Sequence, residues 1–211
     1  MRYTLLGLIF LLAGCVSVPD DIEPVKNFQT ERYLGTWYEI ARLDHSFERG
    51  MQQVTAHYSL RDDGGLNVLN RGFKEDKQQW KEAQGKAYFV EDAATGYLKV
   101  SFFGPFYGAY IIFGLGTDYE YSLVTSSNKS YAWLLSRTPT LEPAQQQRLV
   151  KRMDALGFAT DQLIFVDQSA NLNTKKTNSY CRLIPALKRK GNRNETTVNC
   201  RSRQPPQHIQ R

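Results

Sequence analysis

From Trp37 to Arg137 the chain switches polarity at every second residue and breaks at short intervals into turn-forming clusters, which confines it to antiparallel β-structure. Trp37, Glu39 and Ala41 alternate with Tyr38, Ile40 and Arg42. Val54, Ala56, Tyr58 and Leu60 alternate with Thr55, His57 and Ser59. Asp62-Asp63-Gly64-Gly65 is a hairpin-grade turn into a strand over 66–70. Further strands are predicted over 83–91, 97–103, 107–115, 119–126 and 130–137. Ala94-Thr95-Gly96, Gly104-Pro105 and Asn128-Lys129 break the run. Short strands following one another through tight turns predict an all-β fold, an eight-stranded up-and-down antiparallel barrel.

After Pro139 the period lengthens. Leu141, Leu149, Met153 and Leu156 share one helical face, with Thr140 as the expected N-cap, Pro143 in the first turn and Gly157 as the stop. Residues 163–166 read as a short ninth strand. The 211 residues suffice for one domain with a full core. The formal charge of +6 belongs to the C-terminus: residues 170–211 hold ten Lys/Arg against Glu195 alone, so the remainder is mildly acidic. Only 11 of these 42 residues are hydrophobic, too few to offset chain entropy, and the segment 169–211 is predicted to be a disordered basic tail. Tyr180 is its single aromatic residue, which argues against nucleic acid as a partner.

Three motifs punctuate the strands: Gly35-Thr36-Trp37-Tyr38, Thr117-Asp118-Tyr119 and Ser136-Arg137-Thr138-Pro139. An indole on the first strand can plug the end of a barrel, and an Arg on the last strand can lie across its face, a cation–π contact worth about 0.5–2 kcal/mol. In these motifs and their spacing the chain resembles the lipocalin family over 28–168, and within it the bacterial lipocalins. The resemblance implies a cup holding one small lipophilic molecule, with the helix packed outside the barrel wall. It departs at the middle motif, where one residue rather than two separates Tyr119 from Tyr121, and a local adjustment of that turn is expected.

At the N-terminus, Arg2 and an apolar stretch over 5–12, too short to span a bilayer, form a signal-peptide pattern. It ends in Leu12-Ala13-Gly14-Cys15, which resembles the bacterial lipobox and marks Cys15 as the site of lipid attachment. The chain thus divides into a signal peptide (1–14), a lipidated tether (15–27), the barrel (28–168) and the tail (169–211). Val16 after the Cys is compatible with an outer-membrane, periplasm-facing location. The resemblance further implies a fatty acid or lysophospholipid as ligand, in membrane biogenesis or repair. The alternative is a membrane-associated interaction protein, with the barrel as scaffold and the cationic tail meeting anionic surfaces. A homodimer and a disulfide between Cys181 and Cys200 stay open.

Catalytic patterns are missing: no Gly-X-Ser-X-Gly, no phosphate-cradling loop, no His-Glu-X-X-His, and no Cys within the barrel span. His45 and His57 read as a loop and an outward strand residue rather than metal ligands, and no cofactor is expected. What remains is a lined cavity. Gly35, Trp37 and Arg137 close the barrel. Fixing the register on Trp37 and Arg137 turns Glu39, Ala41, Tyr131, Trp133 and Leu135 inward. Apolar alternation adds Val54, Ala56, Tyr58, Val68, Phe89, Val100, Phe102, Ile111, Phe113 and Tyr121. From these the ligand-binding set is Glu39, Val54, Ala56, Tyr58, Phe89, Val100, Phe102, Phe113, Tyr121, Tyr131 and Trp133. Glu39, an inward carboxylate, requires either water or a cation beside it. Phe47 sits in a loop placed to cover the mouth.

Overall fold

The structure, a computed structural model, describes residues 16–172; the signal-peptide and Cys15 assignments, the Cys181–Cys200 question and nearly all of the predicted tail lie outside the described residues. A short helix α1 (Thr30–Tyr33) leads into eight strands: β1 (Gly35–Arg42), β2 (Met51–Leu60), β3 (Leu66–Lys74), β4 (Gln79–Phe89), β5 (Tyr97–Ser101), β6 (Gly108–Leu115), β7 (Tyr121–Thr125) and β8 (Ala132–Ser136). Each pairs antiparallel with the next, and β8 returns to β1, which also pairs β2, so the sheet closes into a barrel. Helix α2 (Pro143–Ala155) and a two-residue strand β9 (Ile164–Phe165) follow. The eight-stranded barrel with an outer helix and a ninth strand is the architecture the sequence predicts.

The core has two layers. Inside the barrel, Trp37, Leu66, Val68, Leu98, Ile112, Val124 and Leu135 pack around α1's Tyr33. Outside, the apolar face of α2 buries Leu149 and Met153, with Phe158 beyond it, against Ala41, Ile111, Phe113, Leu123 and Leu134 of the wall. The helix begins two residues later than Thr140 suggests. Glu142 is the N-cap, its carboxylate accepting from Gln145 N at 2.9 Å, and Pro143 opens the helix, where its missing N–H costs nothing. Gly157 ends it at φ +76°. Residues 16–27, a tether by composition, lie against the barrel: Ile22 is buried, and Val25 N donates to Ile112 O at 2.8 Å while Val25 O accepts from Gly96 N at 2.8 Å.

Two irregularities set up the site. A bulge in β1 between Glu39 and Ala41 shifts its register against β8, so that Leu135 faces Glu39 while Trp133 faces Arg42. Beyond the bulge β1 leaves β2 and pairs β9 through Ala41 and Arg42. The parted strands are spanned by Gln168, whose Nε2 donates to Glu39 O and Val54 O, both at 2.8 Å. The strand lengths also differ. β3 and β4 pair over nine residues, but β4 meets β5 only over 86–89, so residues 79–84 run on without a partner on that side.

Candidate functional site

The interior opens into a cavity of about 860 Å³, closed at the α1 end and open where the β1–β2, β3–β4, β5–β6 and β7–β8 connections meet. At the closed end Trp37 is fully buried and its Nε1 donates to Tyr33 O at 2.8 Å. The Arg137 guanidinium carbon sits 3.9 Å from the indole centroid, and its two amino groups donate to Thr36 O at 3.1 Å and Arg32 O at 2.5 Å. Gly35 holds φ +90°, a left-handed geometry that a side chain adopts only with strain. Tyr119 closes the turn at the middle motif with φ 57°; its hydroxyl accepts from Gln29 N at 2.8 Å.

Of the eleven residues selected as ligand-facing, Glu39, Val54, Ala56, Tyr58, Val100, Phe102, Tyr131 and Trp133 are on the cavity wall, as are Val68 and Leu135. Three are not. Phe89 packs below the cavity against Phe28, with ring centroids 6.1 Å apart. Phe113 points outward and stacks on Phe158 at 5.1 Å, and Tyr121 packs on the same outer cluster. Ile111 and Ala41 also face outward. The reason is physical. On β6 the run Tyr110-Ile111-Ile112-Phe113 is apolar on both faces because α2 covers the outer one, so alternation alone cannot say which face is inside. On β1 the bulge turns Ala41 out and brings Arg42 in.

Deep in the cavity three phenols form a chain that the sequence reading missed. Tyr58 and Tyr33 hydroxyls each lie 2.8 Å from the Tyr110 hydroxyl, and Tyr33 continues to Ser122 Oγ at 3.1 Å. Burial pushes the Tyr33 phenol up to about 12 and raises Tyr58 and Tyr110 well above the ordinary value, so the chain stays neutral. Two buried polar atoms that face the cavity, Asn70 Oδ1 and Ser101 Oγ, have no hydrogen-bond partner among the described residues.

Under the mouth lies a buried charge cluster. Arg42 Nη1 donates to Glu39 Oε1 at 2.6 Å, and Arg42 Nη2 donates to the carbonyls of Glu48 and Met51, both at 3.0 Å. Glu48 Oε2 accepts from Trp133 Nε1 at 3.1 Å and lies 3.0 Å from His45 Nε2. The cation that meets Glu39 is Arg42. Burial, then the charge of Glu48, hold the Glu39 carboxyl well above its usual range despite Arg42. Burial acts the same way on Glu48, but His45, Trp133 and Arg42 outweigh it and lower that carboxyl. His45 is a loop residue as read, yet buried; Phe47 stacks on it at 3.8 Å and 26° and stands over Tyr131 at 6.2 Å. His57 faces out, its Nδ1 2.9 Å from Thr36 Oγ1. Among the described residues no group of three or more His, Cys, Asp or Glu is placed to hold a metal. Opposite charges three residues apart on one strand were the available signal for the Glu39–Arg42 pair, and they read as opposite faces until the bulge is known.

The geometry is that of a cup closed at one end, with a largely apolar wall. A family model described as a lipocalin-like domain matches residues 28–168. The chain is 55% identical to Outer membrane lipoprotein Blc of Vibrio cholerae over 159 residues, covering 75% of this chain and 93% of that protein. It is 48% identical to the protein of the same name from Escherichia coli strain K12, covering 75% and 91%. Among solved structures, insecticyanin from the tobacco hornworm Manduca sexta superposes with a TM-score of 0.58 at 21% identity, over 71% of this chain and 85% of that one, a likeness of fold.

Proposed function

The chain belongs to the lipocalin family, a family of binding proteins rather than enzymes, and we propose that it is a membrane-anchored carrier that holds one fatty acid or lysophospholipid in its barrel. The observation that carries this reading is the cavity itself: about 860 Å³, walled by Val54, Val68, Leu98, Val100, Phe102 and Trp133, and open at one end only. That size and lining suit a single lipophile. An acyl chain of about fifteen methylenes gains roughly 12 kcal/mol gross on burial, at about 0.8 kcal/mol each. Association costs of about 4–15 kcal/mol bring this down to ordinary affinities. The chain lies along the apolar wall, and the polar head stays at the mouth, where Arg49, Lys74, Lys77 and Lys81 border the opening. Anchoring through Cys15 to the outer membrane, facing the periplasm, is part of the proposal; the two relatives are named as outer membrane lipoproteins. The role is in membrane biogenesis or repair.

A tryptophan-fluorescence titration against lysophospholipid, palmitate and retinol tests it. Saturable binding of an acyl ligand at micromolar concentration, with the signal lost in Trp133→Phe, is the expected result. No response to any of the three ligands refutes the carrier reading.

A further inference from the structure

The β5–β6 connection carries Phe103 and Phe106, which are 80% and 73% exposed, and the β1–β2 connection carries Phe47 at 55%. Large apolar side chains gathered in water at one end of a barrel mark a contact surface. All three also border the cavity, so whatever covers them covers its entrance. Lys77 and Lys81 share this rim, and Lys86 and Lys99 stand over the Tyr107 ring at 6.0 and 5.4 Å. None of these four lysines has an ion-pair partner among the described residues. Exposed rings beside unpaired ammonium groups suit the headgroup layer of a bilayer carrying anionic lipid, where the rings bury and the cations meet phosphate.

Two further observations point the same way. The barrel's connections to the rest of the chain lie at this end: Asp21 pairs with Lys129 on the β7–β8 connection, and Ala170 N donates to Gln53 Oε1 near the start of β2 at 3.0 Å. The wall is also lowest here, because β4 runs past the end of β5 over 79–84. The entrance is therefore a side slot beside Phe103 and Phe106 rather than a closed rim.

We propose that the mouth of the barrel is a membrane-docking surface, with Phe103 and Phe106 inserted into an anionic lipid leaflet so that the slot opens directly onto it. The use of the docked state, transfer of an acyl chain between leaflet and cavity without passage through water, rests on the carrier reading; docking itself does not need an occupied cavity.

The test uses the chain from Val16 to Arg211, made without the signal segment and Cys15, which leaves out the anchor and keeps the tail identical in every sample. It is sedimented with vesicles of phosphatidylglycerol and phosphatidylethanolamine, and with vesicles of phosphatidylcholine, alongside the same chain carrying Phe103→Ser and Phe106→Ser. The double variant is expected to lose at least tenfold in partitioning onto the anionic vesicles. A Phe103→Trp variant is expected to gain a blue-shifted emission, quenched by brominated lipid, on vesicle addition. Equal sedimentation of parent and double variant overturns the proposal, as does an emission from the Phe103→Trp variant that vesicles leave unchanged. A parent that is dimeric without vesicles and becomes monomeric in the double variant assigns the patch to a second copy and equally overturns it. Failure of the carrier reading shows separately, as a parent that docks on vesicles but binds no monoacyl ligand in their absence.

Discussion

The two ends of this barrel use aromatic and charged side chains in opposite ways. At the closed end Trp37 has its N–H bonded to Tyr33 O, its face covered by Arg137 and its ring packed on the Tyr33 ring, centroids 4.7 Å apart and tilted by 35°. At the mouth Phe103 and Phe106 stand in water, and the buried titratable groups are Glu39 and Arg42 at the end of β1 and Glu48 in the connecting loop. One end is saturated with partners within the protein; the other keeps its surface available. Stability should therefore reside at the floor, and recognition at the rim.

That contrast can be broken at its strongest point. Trp37→Ala opens a cavity beneath the floor and is expected to cost about 3–5 kcal/mol, read as a lowered urea midpoint. Arg42→Met tests whether the mouth is as soft as its exposure suggests. It leaves Glu39 and Glu48 buried without their cation, and a loss of about 3 kcal/mol or somewhat more is expected in the same unfolding measurement. A near-neutral result would show that water enters the cluster. Tyr110→Phe removes the middle of the phenol chain and leaves Tyr58 unpartnered within it, for about 1–3 kcal/mol. Phe47→Ser should change stability by no more than about 0.5 kcal/mol, while shortening ligand residence in stopped-flow dissociation.

The pH dependence sharpens the comparison further. The folded pKa of Glu39 lies well above its usual 4.5, so the folded chain keeps a proton that the unfolded chain has released. Its contribution to stability is undiminished below the usual value and falls as pH rises through the raised one. Glu48 acts the other way: its contribution is present above the usual value of 4.5 and is lost as pH falls through its lowered folded value. Glu39→Gln should flatten the decline toward neutral pH while keeping the loss in acid, as read from unfolding midpoints across the range.

The closed end was readable from the sequence because its determinants are local and regular. Gly35, Trp37 and Arg137 sit in short motifs, and alternation counted from them carries correctly to Glu39, Trp133 and Tyr131. It stops being correct after Ile40, where one extra residue in β1 turns Ala41 out and Arg42 in. On β6 it fails for another reason: with α2 outside, Ile111 and Phe113 are as apolar as Tyr110 and Ile112, and burial on both sides erases the signal. The phenol chain gathers Tyr33, Tyr58, Tyr110 and Ser122 from four separate elements, and no spacing records such a meeting. His45 and Glu48 were hidden because polar and charged residues in a loop ordinarily face solvent, and Arg42 because the bulge reverses its face.

The parting of β1 from β2 has a mechanical consequence. Beyond Tyr38 the two strands no longer pair directly; they are joined through intermediaries, the two bonds of the Gln168 amide, the Arg42 guanidinium on Met51 O, and the 166–167 backbone, which bonds Ile40 O and Gln53 N. Dilation to admit a bulkier guest concentrates there, since a hoop yields at its weakest link. Gln168 is also among the last residues of the barrel before the chain continues past Ala170. The residues that follow β9 are therefore part of the barrel's closure rather than an appendage to it.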